Sequence, residues 1–232
     1  MTNPSYQERR GQIQAYFDRT AAEAWKRLTS DAPVNRIRST VRAGRDEMRR
    51  TLLDWLPADL TGKRLLDAGC GTGMLAIEAA RRGADVYAVD LSPTLIESAR
   101  ERLPDDLRGS VQYAAGDMVA PGQGDFDHVV AMDSLIHYEV DDAVNLIADL
   151  AGRVRGSMVL TYAPRTPALA LMHAVGQFFP RGDRSPAIVP VRPKEIRRRI
   201  EAHPALAGWR VGREQRITRG FYTSQALELI PA

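Results

Sequence analysis

The stretch that most constrains this chain is Arg64–Gly73, where a short apolar strand runs into a loop with three alternate glycines. The residues that define it are, in order, Leu65, Leu66, Asp67, Gly69, Gly71 and Gly73. Glycine lets the backbone turn tightly and lets a ligand approach the main chain without a Cβ in the way. Because a helix-like segment follows at Met74, this order predicts the first βα unit of a nucleotide-binding α/β domain.

Length and composition limit the number of domains and exclude several classes of protein. A chain of 232 residues suits one α/β domain with an appendage, and 44% apolar residues are enough for a core. No apolar run reaches the roughly 18 residues of a membrane-spanning helix, and Met1–Arg10 lacks the apolar core of a secretory signal. Cys70 is the single cysteine, which excludes a disulfide framework. We therefore expect a cytoplasmic protein.

The charge of the chain is dominated by arginine. Three of its 32 basic residues are lysines, which leaves 29 arginines, and the net charge is +3. Arginine forks can grip carboxylates or phosphates, but compositional bias explains the excess equally well. The run Arg36–Arg50 could bind nucleic acid, yet it lacks the interleaved aromatic residues that stack on bases. Nucleic acid is therefore not an expected partner.

From Lys63 onward, strand-like and helix-like segments alternate. After the first strand, the strand-like segments are Ala84–Asp90, Val111–Asp117, Phe126–Met132 and Ser157–Tyr162. The helix-like segments include one that begins at Pro93 and one with an apolar face over Val144–Ala151. Trp209–Arg216 and Gly220–Leu229 are typical of a closing hairpin. This alternation predicts a doubly wound, mostly parallel sheet.

Two flanking regions lie outside this pattern. Residues 1–60 contain two helix-like runs, the second over Val41–Leu56, and are predicted to form a helical arm or cap over a catalytic domain of residues 61–232. After the fifth strand, residues 163–191 hold five prolines and an apolar helix candidate, Ala168–Phe179. Long irregular insertions inside a domain are usually functional, so this one is predicted to be a substrate lid. A further helix is predicted at Lys194–His203.

The glycine loop is compatible with two kinds of nucleotide ligand, a dinucleotide and a sulfonium nucleoside. Asp90 ends the second strand, where an acid accepts hydrogen bonds from ribose hydroxyls. A strand-end or helix-capping aspartate is the alternative. The glycines do not fit G-x-G-x-x-G in register, because the sixth position is Met74 counted from Gly69 and Ala76 counted from Gly71. This mismatch argues against a dinucleotide and favours a sulfonium nucleoside.

Four segments in order resemble the motifs of class I S-adenosylmethionine-dependent methyltransferases. They are Asp67–Gly73, Asp90–Ser92, Gly116–Met118 and Phe126–Ser134. The resemblance implies a Rossmann-like fold with seven strands, a mostly parallel sheet and an antiparallel C-terminal hairpin. It also implies S-adenosyl-L-methionine as cofactor and S-adenosyl-L-homocysteine as product. The implied cofactor-binding residues are Asp67, Gly69, Cys70, Gly71, Gly73, Asp90, Leu91, Asp117, Met118, Asp133 and Ser134.

The same resemblance suggests roles for single residues. Asp117 would meet the adenine amino group, and the segment at Asp133 would face the methionine portion. Cys70 has no basic partner assignable from sequence, so a small loop filler is favoured over a nucleophile. The exit of the fourth strand lacks the Asn/Asp-Pro-Pro-Tyr/Phe motif of amino-methylating enzymes, which disfavours an exocyclic nitrogen as acceptor.

Three segments outside the common core resemble the magnesium-protoporphyrin IX O-methyltransferase family. They are Tyr16–Arg45 in the arm, Asp133–Tyr138 after the fourth strand, and Thr161–Pro167 at the start of the insertion. The resemblance implies methyl transfer to a propionate of magnesium-protoporphyrin IX in (bacterio)chlorophyll biosynthesis. Magnesium then enters only as part of the substrate, and no metal site of the protein is expected.

In that family context, His137 would orient the propionate or take up a proton, with a structural histidine as the alternative. Tyr16 would lie over the active site, and Tyr6 is the fallback. The predicted substrate-binding residues are Trp25, Arg36, Arg38, Tyr138 and Arg165. A magnesium chelatase subunit and the surface of the photosynthetic membrane are candidate partners. A quinone-type or other small-molecule methyltransferase is the main rival hypothesis.

Overall fold

The computed structural model describes residues 4–18, 36–165 and 188–232, and one seven-stranded sheet organises them. The strands are β1 (Arg64–Ala68), β2 (Asp85–Asp90), β3 (Ser110–Ala115), β4 (Phe126–Ala131), β5 (Val154–Tyr162), β6 (Trp209–Arg219) and β7 (Tyr222–Pro231). Their order is β3-β2-β1-β4-β5-β7-β6, with β7 antiparallel to both neighbours and the others parallel. The predicted mostly parallel sheet with an antiparallel C-terminal hairpin is confirmed.

Helices cover both faces of this sheet. They are α1 (Pro4–Tyr16), α2 (Arg36–Asp54), α3 (Met74–Arg81), α4 (Pro93–Glu101), α5 (Val140–Ala151) and α6 (Pro193–Ala202), with 3₁₀ turns at Leu135–His137 and Pro204–Leu206. Successive strand residues point to opposite faces. Leu65 accordingly joins the apolar cluster with α2, α3 and α4, and Leu66 joins the cluster with α1, α5 and α6.

The strand order places a crevice at one edge of the sheet. β1 lies between β2 and β4, and the chain winds outward from it in both directions. In doubly wound sheets, ligands bind at such a switch point, outside the carboxyl ends of the strands. The residues that follow β1, β2 and β4 are therefore brought together at one edge.

Element boundaries follow from local chemistry where the sequence carries a start signal. α4 begins at Pro93 as predicted, because the proline occupies the first turn and the Ser92 hydroxyl accepts a hydrogen bond from the Leu95 amide at 3.3 Å. α2 begins at Arg36, five residues before the predicted Val41, because its first turn is polar and shows no apolar periodicity. β6 extends to Arg219, three residues beyond the prediction.

The arm and the insertion are tied to the sheet. α2 is part of the core, since Met48, Leu52 and Leu53 are fully buried. The two ends of the insertion bond to each other, because the Arg165 amide donates to the Val191 carbonyl at 2.8 Å and the Val191 amide donates to Ala163 at 2.9 Å. The predicted helix Ala168–Phe179 lies outside the described residues.

Candidate active site

One cavity of about 510 Å³ opens at the carboxyl ends of the strands. The glycine loop, the ends of β2 and β3, the 3₁₀ turn after β4, α1, α2 and the β6–β7 turn line it. This volume is within the range of small-molecule sites. The predicted cofactor residues that line it are Asp67, Gly69, Cys70, Gly71, Asp90, Leu91, Asp117, Met118, Asp133 and Ser134.

The glycine loop packs so tightly that a side chain is excluded at two of its positions, Gly69 and Gly73. Gly69 has a φ of 83°, and a Cβ there would lie 2.4 Å from the Ser134 Cβ. Gly73 does not line the cavity. It has a φ of 76°, and a Cβ there would lie 2.1 Å from the Tyr113 hydroxyl oxygen. Glycine is thus required at Gly69 by the cavity wall and at Gly73 by packing behind it.

Asp90 braces the loop from the end of β2. One carboxylate oxygen accepts a hydrogen bond from the Gly71 amide at 2.8 Å, and the other accepts one from Ser92 at 3.0 Å. Burial raises the pKa of this carboxyl despite these bonds. Asp90 thus has the contacts of a strand-end aspartate, while the cap of α4 is Ser92. Each oxygen keeps a second lone pair, so the contact with ribose stays a prediction.

Asp67 is a buried carboxyl at the wall of the cavity. It is 1% exposed, and its Oδ2 atom has no hydrogen-bond partner among the described residues. Burial, and next the charge of Asp90, raises its pKa to about 7. A buried carboxylate oxygen without a hydrogen-bond partner is costly, so this site favours a ligand that brings a cation or a hydrogen-bond donor to Oδ2.

Cys70 has the properties of a loop residue. Burial, followed by the charges of Asp67 and Asp90, raises the pKa of its thiol well above the ordinary value. A thiol in such surroundings stays protonated at neutral pH and is a poor nucleophile. The electrostatics support the interpretation of Cys70 as a small loop filler.

The carboxylate of Asp117, predicted to meet adenine, is engaged by α1. Its Oδ1 atom accepts hydrogen bonds from the Tyr6 hydroxyl at 2.8 Å and the Val119 amide at 3.0 Å. Its Oδ2 atom pairs with Arg10 at 2.9 Å. The Tyr6 ring also stacks on Tyr138, with 5.3 Å between the ring centroids. α1 therefore covers this end of the cavity.

Asp133 is held by protein donors on three elements. Its Oδ2 atom pairs with Arg45 of α2 at 2.5 Å. Tyr222 and Ser224 of β7 lie within 3.2 Å of its carboxylate, and Thr161 of β5 lies at 3.3 Å. Its φ of 53° is unusual for a residue other than glycine. The observed contacts anchor the turn that carries Ser134 and His137, and contact with the cofactor stays a prediction.

The predicted catalytic residues both line the cavity. His137 ends the 3₁₀ turn and is 6% exposed, and its ring meets Phe17 edge-on with centroids 6.2 Å apart. Tyr16, at the end of α1, is half-buried against Phe17. Tyr6, the fallback, also lines the cavity but is buried more deeply. The geometry thus brings both tyrosines to the site.

The predicted substrate residues divide by location. Arg38 and Tyr138 line the cavity, although Tyr138 is nearly buried under Tyr6. Arg165 is exposed and does not line it. Trp25 lies outside the described residues, as does the side chain of Arg36.

The residues that sequence reasoning missed at this site include Arg45, Phe221 and Tyr222. Arg45 carried a weak signal, because Arg38, Arg42 and Arg45 follow the spacing i, i+4, i+7 of one helix face. The two hairpin residues carried none, since 89 positions separate Tyr222 from its partner Asp133.

Strand order, glycine loop and cavity together define a Rossmann-like S-adenosylmethionine-dependent methyltransferase. The family described as "Methyltransferase domain" matches residues 65–156. The chain belongs, more narrowly, to the magnesium-protoporphyrin O-methyltransferase family. It is 48% identical to the Rhodobacter capsulatus magnesium-protoporphyrin O-methyltransferase over 227 residues, which cover 97% of this chain and 98% of that protein.

Other comparisons agree with this assignment. The family "Magnesium-protoporphyrin IX methyltransferase C-terminus" matches residues 131–231. The crystal structure of magnesium protoporphyrin IX methyltransferase from Synechocystis PCC 6803 with bound SAH superposes with a TM-score of 0.83. It is 27% identical, and the match covers 96% of this chain and 99% of that one. A relative with a different name, a ubiquinone biosynthesis O-methyltransferase from Xanthomonas oryzae pv. oryzae, is 33% identical over 73% of this chain and 71% of its own length.

Two findings concern what the described residues lack. None of the helices in the described ranges is long and apolar enough to cross a bilayer. No cluster of three or more His, Cys, Asp or Glu side chains able to hold a metal ion occurs in the same ranges.

Proposed function

We propose that this protein transfers the methyl group of S-adenosylmethionine to a propionate carboxylate of magnesium-protoporphyrin IX, giving the monomethyl ester. The observation that carries the proposal is the 48% identity to the Rhodobacter capsulatus enzyme over 97% of the chain. That match includes α1, α2 and the C-terminal hairpin. Acceptor specificity depends on such parts outside the common core.

Methyl transfer to a carboxylate requires no strong general base. The cofactor supplies a methyl group on a sulfonium, and in-line attack by a carboxylate oxygen forms the C–O bond as the C–S bond breaks. A propionate is already ionised at neutral pH. The protein therefore contributes position and the exclusion of water.

The cavity residues fit these two tasks. Asp67, Asp90 and the loop backbone would hold the cofactor, and His137 would orient the propionate beside it. Arg38 and Arg42 line the cavity on one face of α2, and their guanidinium groups suit carboxylates. Tyr6, stacked on Tyr138, would shield the site from water.

Methyl transfer can be tested directly. Purified protein is incubated with S-adenosylmethionine carrying a labelled methyl group and with magnesium-protoporphyrin IX, and the ester is identified by chromatography and mass spectrometry. The dimethyl ester of the porphyrin is the control, because it offers no carboxylate. Labelling of both porphyrins, or of neither, would contradict the proposal.

A small-molecule methyltransferase of quinone type is the second candidate. The 33% identity to a ubiquinone biosynthesis O-methyltransferase over 73% of the chain favours it. A competition assay with the porphyrin and a catechol-type quinol separates the two hypotheses. Preferential methylation of the quinol would establish the alternative.

We also propose how the acceptor reaches the site. A flat, largely apolar porphyrin is poorly soluble, so we infer that a magnesium chelatase subunit delivers it directly to this protein. We also infer that the protein is cytoplasmic and binds the photosynthetic membrane peripherally. Sedimentation with purified chelatase subunits and with anionic vesicles tests the two contacts separately. Absence of co-sedimentation in either experiment would remove that contact.

The domain division is likewise a proposal. We infer that residues 1–60 cap a catalytic domain of residues 61–232 and that 163–191 act as a lid. The bonds from Tyr6 and Arg10 to Asp117 support a cap. Deleting residues 2–18 is expected to leave the sheet folded and to lower methyl transfer, and shortening 163–191 is expected to raise the acceptor KM. Unchanged kinetics would contradict these roles.

A further inference from the structure

Phe221 is the one large apolar side chain that is exposed in the described part of the chain. It is 53% exposed, whereas the other large apolar residues of the described ranges are buried or partly buried. Phe221 follows Gly220 in the two-residue turn that joins β6 to β7. An exposed phenylalanine offers apolar surface that a ligand can stabilise by burying it.

The turn that carries Phe221 is fixed in place. Gly220 has a φ of 56°, and the φ of Phe221 is negative, the pattern of a type II′ turn. Gly220 packs on α2, because a Cβ there would lie 2.6 Å from the Thr40 hydroxyl oxygen. Next to it, Arg219 pairs with Glu47 of α2 at 2.6 Å. Two contacts with α2 therefore hold the backbone of the turn that carries the exposed ring.

Phe221 also belongs to the wall of the candidate active site. It lines the cavity together with its neighbours Tyr222, Thr223 and Ser224. Tyr222 and Ser224 both contact Asp133, which starts the turn carrying His137. The exposed ring is thus connected to the proposed catalytic centre through two residues of the same strand.

The size of the cavity explains why an apolar residue at its rim matters. A volume of about 510 Å³ suits one ligand of ordinary drug size. As the described residues bound it, the cavity is too small for the cofactor and a tetrapyrrole together. A macrocycle whose propionate reaches the methyl group would then extend toward the cavity wall that carries the exposed Phe221.

We propose that Phe221 determines acceptor recognition by packing its ring on the face of the tetrapyrrole macrocycle outside the cavity. This inference rests on the proposed function and adds a residue to it. Offset stacking of aromatic surfaces is favourable beyond the apolar area that it buries. A turn that packs on α2 places the backbone of Phe221 before the acceptor arrives, which lowers the entropic cost of binding.

The test compares acceptor kinetics of Phe221 variants with those of the wild-type full-length chain. Phe221→Ala is expected to raise the KM for magnesium-protoporphyrin IX about tenfold, with kcat and S-adenosylhomocysteine affinity within twofold. Phe221→Trp is expected to restore the KM because it keeps an aromatic face, and Phe221→Leu is expected to fall between. Thr218→Ala is the matched control, since Thr218 is exposed in the same hairpin and does not line the cavity.

Absorption titration with magnesium-protoporphyrin IX provides a second readout, because ring stacking shifts the main porphyrin band. If the wild-type protein methylates the porphyrin and Phe221→Ala has the same KM and band shift, the inference about Phe221 is overturned and the proposed function stands. If the wild-type protein neither binds nor methylates the porphyrin, both are overturned.

Discussion

In our proposal, the cofactor side of the cavity consists of the glycine loop with Asp67 and Asp90. The acceptor side consists of α2 and the β6–β7 hairpin, which Asp133 ties together. On the cofactor side, the contacts are short-range or run between adjacent strands, as between Asp90 and the Gly71 amide. On the acceptor side, they join segments far apart in sequence, such as Arg45 with Asp133 and Asp133 with Tyr222. A site can therefore have one half that follows from local sequence and another that depends on the assembled fold.

The largest effect is expected from Gly69→Ala on the cofactor side. The new Cβ would clash with Ser134, and the positive φ adds strain. We expect S-adenosylhomocysteine affinity to fall about a thousandfold, which is about 4 kcal/mol, as measured by calorimetry. Gly62→Ala is the matched control, because Gly62 has a φ of 72° and open space around its Cα. Equal affinities of the two variants would show that the loop contact is not required.

Asp133→Ala tests whether the acceptor side is held together by its long-range ion pair. It leaves Arg45, whose side chain is 17% exposed, without its carboxylate partner. We expect the free energy of unfolding to fall by about 3 kcal/mol, as measured by urea denaturation. Asp125→Ala breaks the exposed pair with Arg155 and is expected to cost less than about 1 kcal/mol. Similar values for both would contradict a structural role for Asp133.

A pH titration of cofactor binding tests the electrostatics of Asp67. With a pKa of about 7, its carboxyl is mostly protonated at pH 6 and mostly ionised at pH 8. If the carboxylate receives the ligand's ammonium group, S-adenosylhomocysteine affinity rises about tenfold over this interval and then levels off. In Asp67→Asn the rise is expected to disappear. A rise of equal size in the variant would assign it to another group.

The same pKa has a consequence for the stability of the protein without ligand. When the pKa of an acid is higher in the folded state than in the unfolded state, the unfolded chain ionises first as the pH rises. Ionisation then stabilises the unfolded state, and the free energy of unfolding falls. We therefore expect the contribution of Asp67 to stability to decline as the pH rises from about 4 to about 7. The measurement is the free energy of unfolding of the wild type and of Asp67→Asn at several pH values in this range. The difference between the two proteins gives the decline.

The smallest effect concerns α1, which spans the two sides. Tyr6→Phe keeps the stack on Tyr138 and removes the hydrogen bond to Asp117. The loss of one such bond weakens docking by about 1 kcal/mol, so amide hydrogen exchange in residues 4–16 is expected to rise about fivefold. Gln12→Ala, on the exposed side of α1, is the control. Exchange that stays at the wild-type rate would remove Tyr6 as an anchor of α1.

The sequence predicted the fold well where signals repeat along the chain. Apolar runs separated by helix starts located all seven strands, and their bounds shifted by only a few residues. Pro93 marked a helix start because proline and the Ser92 cap act within one turn. The start of α2 was misplaced because its first turn is polar.

The sequence also predicted residues that line the glycine-loop side of the cavity, because a glycine loop and the acids at strand ends are local motifs. The engagement of Asp117 by Tyr6 was not, since 111 positions separate the two residues. Neither was the exposure of Phe221, because a phenylalanine in an apolar strand pattern is normally a core residue.

The sequence alone determined the fold class, the family and the glycine-loop side of the cavity, since strand and helix periodicity and the glycine loop act over a few residues. Tertiary structure decided which arginine meets Asp133, which helix covers Asp117 and which aromatic ring stands at the cavity mouth. These outcomes depend on how helices dock against the sheet edge and on the register of the C-terminal hairpin. Contacts across such distances leave no periodic trace in the chain.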